Sequence, residues 1–362
     1  MADYYEIDFL GVETKKSGDA ITLRYEIDDV TCIHVVDGGY QTTGPSVVEH
    51  IRKYYGSDAY IDHVVVTHSD RDHAGGLRDV LEELSVGTLW MHRPWLYAEE
   101  LIDRFETYTS VDRLRSRLRA IYSNLAALED IANEKGIEIL EPFQGEVIGA
   151  FTVLAPTRER YLDLIVASEK TPEGTADDEG IVAKAGSIFE AAAAKLSNLI
   201  RAVWGEEIFS TQETSAENEM SVVQYAKLCG HSIVLTGDAG RTGLAEAADY
   251  APAAGLELPG VDRIQVPHHG GRRNVSTELL DRWLGPRLAQ KPTEGQETFT
   301  ALVSSALEDL DHPRKAVVRA FAHRGARVIA TEGVDVRIGQ NAPKRDGWVA
   351  ATPFPYPDDQ EA

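Results

Sequence analysis

Apolar and polar residues follow two distinct periods along this chain. Runs rich in β-branched residues, such as Ile61-Asp62-His63-Val64-Val65-Val66-Thr67, read as buried strands, whereas Leu77-Arg78-Asp79-Val80-Leu81-Glu82-Glu83-Leu84 carries apolar side chains at helical spacing. Five further strand-like segments sit beside polar clusters. Three of them stop directly on such a cluster: Thr31–Val36 on Asp37-Gly38-Gly39, Ser232–Thr236 on Gly237-Asp238-Ala239-Gly240, and Asp262–Val266 on Pro267-His268-His269-Gly270-Gly271. Ser221–Ala226 is instead preceded by Glu217-Asn218-Glu219-Met220, and Thr298–Ser304 comes a few residues before Asp311-His312-Pro313. Strands that deposit donors at one edge of a sheet assemble a site from distant sequence.

The strand over residues 61–67 runs into His68-Ser69-Asp70-Arg71-Asp72-His73, then Ala74-Gly75-Gly76 and the helix. Imidazole nitrogen and carboxylate oxygen are the donors that zinc, manganese and iron prefer. Six residues cannot easily wrap all four donors around a single ion, so the spacing suits two ions sharing one short loop. Residues 94–135 predict two helices, one starting at Tyr97–Phe105 and one over Val111–Lys135. Residues 157–216 form a second long interruption, with an alanine run at Ala191–Ala194 followed by Leu196, Leu199 and Ile200. So long a segment is expected to form a helical lid or a contact between copies of the chain. The proline-rich, terminally acidic stretch from Asn341 to Ala362 is expected to be an extended arm or disordered.

Composition narrows the classes. A chain of 362 residues, 43% of them apolar, can bury a large core. Its net charge of −23 repels nucleic acid on average, so only a local cationic groove would hold a polyanion. Met1–Glu6 is acidic and no apolar run reaches membrane-spanning length, which predicts a cytoplasmic protein with no membrane partner. Cys32 and Cys229 form no CxxC pair and read as buried thiols of a reduced compartment.

In order along the chain, Gly18-Asp19-Ala20-Ile21, Asp37-Gly38, His68-x-Asp70-x-Asp72-His73 with Gly76-Leu77, Asn218/Ser221/Val223, Thr236-Gly237-Asp238, His268-His269-Gly270 and His312-Pro313 resemble the metallo-β-lactamase fold. Within it they resemble the competence-protein (ComEC-type) branch, here as a stand-alone form. Thr331, Gly333 and Val336 meet that branch's closing motif only loosely. The resemblance spans residues 18 to about 338 and implies a four-layer αββα sandwich over residues 1–340, with helical insertions near 94–135 and 157–216.

The resemblance also implies roles. His68 and Asp70 hold one metal, Asp72 and His73 the other, and Asp238 bridges them. His268 or His269 completes the second site; His268, first off its strand, is favoured, with His269 as an outer-shell or substrate contact. No third histidine serves the first metal, because His231 precedes its strand and belongs at the opposite rim; Asn218 would supply a weak carbonyl oxygen instead, or stand behind a ligand. So oxygen-rich a site shifts preference from zinc toward manganese. The cofactors are thus two divalent ions, Mn2+ or Zn2+, that ionise a shared water. Asp72, Asp238 and His312 form the catalytic group, His312 as a phosphate contact or leaving-group acid; a strand-end or helix-cap role for His312 stands beside that. Asp37 would steady a ligand histidine through its ring N–H.

His92, Arg115 within the basic stripe Arg113–Arg119, and Arg272-Arg273 are candidate substrate contacts. His34, His50, His63 and His323 read as packed or surface groups. No Ser-His-Asp set or nucleophilic cysteine appears. The function implied is a phosphodiesterase or nuclease acting on DNA or RNA. Hydrolysis of a small substrate (cyclic nucleotide, lactone or peptide) is the next reading, and a non-catalytic metal-stabilised scaffold the third.

Overall fold

Seven strands on each side close the alternating pattern into two facing sheets. In the computed structural model, which describes residues 3–171 and 199–362, the first sheet runs Val336–Gln340, Tyr4–Phe9, Ala20–Ile27, Val30–Gly38, Tyr60–Val65, Ser85–Trp90, Glu138–Leu140. The second runs Ala326–Ala330, Phe299–Val303, Arg263–Gln265, His231–Leu235, Val223–Leu228, Phe151–Ala155, Val147–Ile148. Each is mixed, with an antiparallel half and a parallel half.

Three apolar cores make this a four-layer stack. Ile7, Val36, Val65, Phe151, Leu235 and Leu302 fill the space between the sheets. Val47, Leu77, Leu81 and Leu128 bury one helical layer on the first sheet, and Leu244, Leu280, Trp283 and Phe321 bury the other on the second. The αββα sandwich expected from the motifs is therefore the fold. Among the described residues no helix is long and apolar enough to cross a membrane.

The parallel strands carry their C-terminal ends to one edge, where backbone groups are free to hold ligands. Asp37 and Thr67 end two neighbouring strands of the first sheet; Asp238, the His268-His269 pair and Ser304 follow three strands of the second. Antiparallel register adds two more positions. Ala20 pairs with Gly38, bringing Asp19 to that edge, and Gln224 pairs with Leu235, bringing Asn218 close. His231 starts its strand at the opposite end, edge-on to Tyr5 at 5.8 Å.

The insertions differ from their expected form. Val111–Lys135 divides at Tyr122 into the helices Val111–Ile121 and Ser123–Lys135, and Tyr97–Phe105 contributes only short turns. In the second interruption Arg158–Ala167 is helical, whereas Ala191–Ala194 and Leu196 lie outside the described residues. Leu199 and Ile200, read as helical, form a strand with Arg201 that pairs with Asp359–Glu361. The partner is distant in sequence, so local spacing could not reveal it.

The C-terminal arm is extended and anchored. Arg345 bonds Asp8 and Glu6 and stacks 4.2 Å above the Tyr54 ring centre. The Glu361 carboxylate accepts from Lys315 and Ala316 N–H, capping the helix Lys315–His323. Glu207, fully buried, fixes the preceding segment: it accepts from Arg324 at 2.7 Å, sits 2.9 Å from His323 Nδ1, and accepts from Thr277 at 2.9 Å. Burial pushes its carboxyl up, but the bonds from His323 and Arg324 outweigh that and leave it below the ordinary glutamate value.

Glu207→Ala removes one of the two carboxylates on the buried Arg324, the other being Asp281, so urea denaturation should show a loss of about 2 kcal/mol. A depressed carboxyl contributes stability above its unfolded value and loses it as pH falls through the folded value. The wild type should therefore lose stability more steeply than the variant as pH drops below the ordinary glutamate range; parallel curves would contradict the role.

Candidate metal centre

The centre starts from Asp37. At the end of its strand its carboxylate accepts from the Thr67 N–H at 2.9 Å and the Thr67 hydroxyl at 2.5 Å, tying down the loop that follows. The same group accepts from His73 Nδ1 at 2.7 Å, which fixes the ring and turns Nε2 toward Asp238. A single helical turn, Arg71–Ala74, brings Asp72 and His73 forward together. Gly76 lets that turn lie on the neighbouring strand, since a side chain there would collide with the Gly38 carbonyl.

Asp238 lies between two histidine pairs. Its Oδ1 is 3.2 Å from His73 Nε2 and 3.8 Å from His269 Nε2. Its Oδ2 is 3.8 Å from His68 Nε2 and 3.6 Å from His268 Nε2. A further carboxylate flanks each pair: Asp70 Oδ2 is 4.0 Å from His68 Nε2, and Asp72 Oδ2 is 3.9 Å from His269 Nε2. The result is two half-sites, one on each oxygen of Asp238.

This corrects the sequence order of ligands. His269, not His268, shares a side with His73, and His268 stands across Asp238 beside His68. The cause is backbone geometry: His268 and His269 have φ of 49° and 52°, a left-handed conformation rare for two successive non-glycine residues. It turns neighbouring rings toward one carboxylate, and the bond from His268 N–H to the Gly237 carbonyl at 3.2 Å holds the turn.

Asn218, expected either to supply a weak carbonyl oxygen or to stand behind a ligand, lies at the second of these positions. Its side-chain amide lies 2.8 Å from His268 Nδ1, behind the ring. Asn274 donates to the Asp238 carbonyl at 2.9 Å, which leaves its own oxygen to accept from His268 Nδ1–H at 3.1 Å. Asn274 thus orients His268 through Nδ1–H, with Asn218 beside the same nitrogen and its own oxygen accepting from the Ser215 hydroxyl.

The donor set fits a divalent cation. His68 Nε2, His73 Nε2, both ring nitrogens of His269, Asp238 Oδ1 and both oxygens of Asp19 are shut from solvent without a hydrogen-bond partner. Each such group costs about 1–3 kcal/mol unless something satisfies it. Burial pushes Asp238 up, but His268, His73 and His269 outweigh it and hold the carboxyl well below the ordinary range. Burial keeps His269 and His68 neutral, the form that binds metal, by lowering both. His73 is the exception: burial disfavours its cation, yet Asp238 and Asp37 raise it well above the usual imidazole value.

Asp19 is the residue that sequence reasoning missed. It groups with His73, Asp238 and His269, ligand atoms all within 4.8 Å of one another. Its Oδ2 lies 3.6 Å from His73 Nδ1 and 3.9 Å from His269 Nδ1. Burial pushes its carboxyl up to about 7 despite His73. The available signal was a Gly-Asp pair directly before a strand whose start meets the end of the strand carrying Asp37.

The remaining candidates scatter. His312 stacks on His268 with ring centres 5.4 Å apart, and its Nδ1 is 3.3 Å from Asp309. Arg272 and Arg273 line the adjoining cleft with His268 and His312. His92 is buried behind the metal loop, stacked on Tyr161 at 4.2 Å, with burial pushing it down to about 3. Arg115 is exposed, pairs with Asp112 on its own helix, and does not line that cleft. A second donor group, Cys32, His34 and His63, lies elsewhere. There Tyr25 Oη meets His34 Nε2 at 3.2 Å and Trp90 Nε1 donates to His63 Nδ1 at 3.2 Å, in keeping with packed histidines.

Comparison with known proteins places part of the chain. The sequence model of the Metallo-beta-lactamase superfamily matches residues 26–153, which include Asp37 and His68–His73. The match is to the superfamily at large and does not reach its competence-protein branch. No curated protein matches. Among solved structures, hydrolase AbOPH of the beta-lactamase superfamily is 10% identical, with 61% of this chain and 56% of that one covered, at a TM-score of 0.28. The E377D mutant of CmlA beta-hydroxylase is also 10% identical, covering 93% and 54% at 0.40. Zn(2+)-bound PqqB from Methylobacterium extorquens is 12% identical, covering 92% and 99% at 0.38. The chain thus spans little more than half the length of the first two.

A buried carboxylate without a partner destabilises the metal-free protein and strengthens the metal-bound one. In chelator, Asp19→Asn should melt a few degrees above wild type, about 1 kcal/mol or more. Its zinc affinity should fall about 10–100-fold. Calorimetry reads both, and an unchanged affinity would remove Asp19 from the centre.

Proposed function

We propose that this metallo-β-lactamase-superfamily domain is a metal-dependent phosphodiesterase, a nuclease acting on DNA or RNA. The observation that carries the reading is the split of four imidazoles between the two oxygens of the buried Asp238, with a carboxylate beside each pair. His68, Asp70 and His268 would hold one divalent ion and Asp72, His73 and His269 the other, with Asp238 reaching both. Bound there, manganese or zinc would make water nucleophilic near neutral pH and offset charge building on a phosphoryl group.

The chain's own residues do the rest. Asp37 and Asn274 hold the His73 and His268 rings through Nδ1, which keeps each Nε2 aimed at Asp238. Asp19, 3.9 Å from His269 Nδ1, adds a further carboxylate to that half-site. Asp309 stands at His312 Nδ1 and, despite burial, is kept strongly acidic by hydrogen bonds from His312, Ser17 and Asp311. Asp309 therefore accepts a hydrogen bond from His312 Nδ1–H and orients the ring, so that the imidazolium form can give its Nε2 proton to the departing oxygen and be left as neutral imidazole. The arginines of the adjoining cleft favour an anionic ester, whereas the overall charge of −23 favours a small substrate over a long polymer. Retention of every donor around Asp238 opposes a scaffold that has shed its chemistry.

The test is direct. Metal-stripped protein reloaded with manganese or zinc should bind about two ions per chain and cleave DNA, RNA or a chromogenic diester. Asp238→Asn should lower turnover at least about a thousandfold. His68→Ala and His269→Ala should each lower the metal content to about one ion, at opposite half-sites. Full metal loading with no diester cleaved would rule out the phosphodiesterase reading.

A further inference from the structure

The loops that carry His268 and His312 also build a cleft of about 580 Å3 beside the metal centre. Arg272, Arg273 and Arg314 line it together with the segment from Phe209 to Gln212. The arginine loops are zipped together: Arg314 N–H donates to the Gly270 carbonyl at 3.1 Å, and Gly270, at φ 90°, packs where a side chain would strike Pro313. The segment Phe209 to Gln212 is held as firmly. Ser210 N–H donates to the Arg272 carbonyl at 3.2 Å, and Arg241 Nε donates to the Arg273 carbonyl at 2.9 Å. Three guanidiniums thus face a groove whose shape is set by backbone bonds.

Their charge is only partly compensated locally. Asp311 is the one carboxylate side chain among the described lining residues, and it is shared between Lys16 at 2.5 Å and Arg314 at 3.3 Å. Arg273 meets the Gln212 amide oxygen, and Arg272 meets the main-chain oxygen of Ala362 at 3.2 Å. On a chain of net charge −23, such a groove is a local inversion of the field. Guanidinium forks match phosphate oxygens two at a time. The mouth of the groove is His268, whose Nε2 is 3.6 Å from Asp238 Oδ2, so an anion seated in it lies next to the reacting position.

We propose that this cleft binds the phosphate adjacent to the scissile one along a nucleic-acid strand. Arg272, Arg273 and Arg314 then set a preference for polymers over single diesters. The inference rests on the phosphodiesterase reading, but it is tested without turnover.

Full-length protein in chelator, at low salt, is titrated into a fluorescein-labelled ten-nucleotide DNA strand and followed by anisotropy. Arg272→Ala/Arg273→Ala should weaken binding at least tenfold and flatten the salt dependence of log K by about 1.4 for two lost contacts. Arg272→Lys/Arg273→Lys, which keeps the charge but not the fork, should keep the wild-type salt dependence and bind more weakly than wild type though better than the double alanine variant, whereas Arg115→Ala on the distant basic stripe should bind within about threefold of wild type. Thymidine monophosphate should displace the strand at least tenfold less effectively than unlabelled ten-mer. The proposal is overturned if wild type does not bind the strand, if the double alanine variant binds like wild type, if Arg115→Ala loses as much, or if the monophosphate competes as well as the strand. Since no metal is present, these outcomes are separate from those of the reloading assay.

Discussion

One buried carboxylate organises this molecule. Asp238 is surrounded by four imidazoles, and the surrounding shell contains more carboxylate than its side-chain cations can answer. Atoms that could bond are instead shut away unpartnered. A protein tolerates such an arrangement only where something else repays the desolvation, and for nitrogen and oxygen donors in this pattern that is a divalent cation. The fold can be understood as what is needed to hold the shell in place until the cation arrives.

That requirement explains the unusual local structure. Parallel strands from both sheets end on one edge so that their loops meet across it. Two successive histidines take a left-handed backbone, at a cost of order 1–3 kcal/mol each, so that adjacent rings serve opposite oxygens of one carboxylate. Behind the ligands stand Asp37, Asn274 and Asp19, positioned at the Nδ1 side of the rings. The cationic groove next door is built from the same two loops, which couples the place where an anion is gripped to the place where it would react.

Much of this was legible in the sequence. His68 to His73 is contiguous, and Asp238 and the histidine pair each follow an obvious strand, so the edge and its main donors could be named without coordinates. The division of labour between His268 and His269 could not, because it depends on two φ values that no side-chain pattern encodes. Asp19 escaped because its position follows from antiparallel register, Ala20 opposite Gly38, and register is a property of the sheet. For the Arg113–Arg119 stripe charge density is visible in sequence, but it cannot choose between a solvated helix face and a guide for a phosphate backbone; Arg115 is exposed and paired to its own helix. Leu199–Arg201 likewise needed its distant partner, Asp359–Glu361, to become a strand.

The most direct test of the central claim is anomalous diffraction from crystals of the manganese- or zinc-loaded protein. The account predicts two peaks roughly 3.5–4 Å apart, one on each side of Asp238, with His68 and His268 nearest the first and His73 and His269 nearest the second. A single peak, or metal bound only at Cys32, His34 and His63, would contradict it.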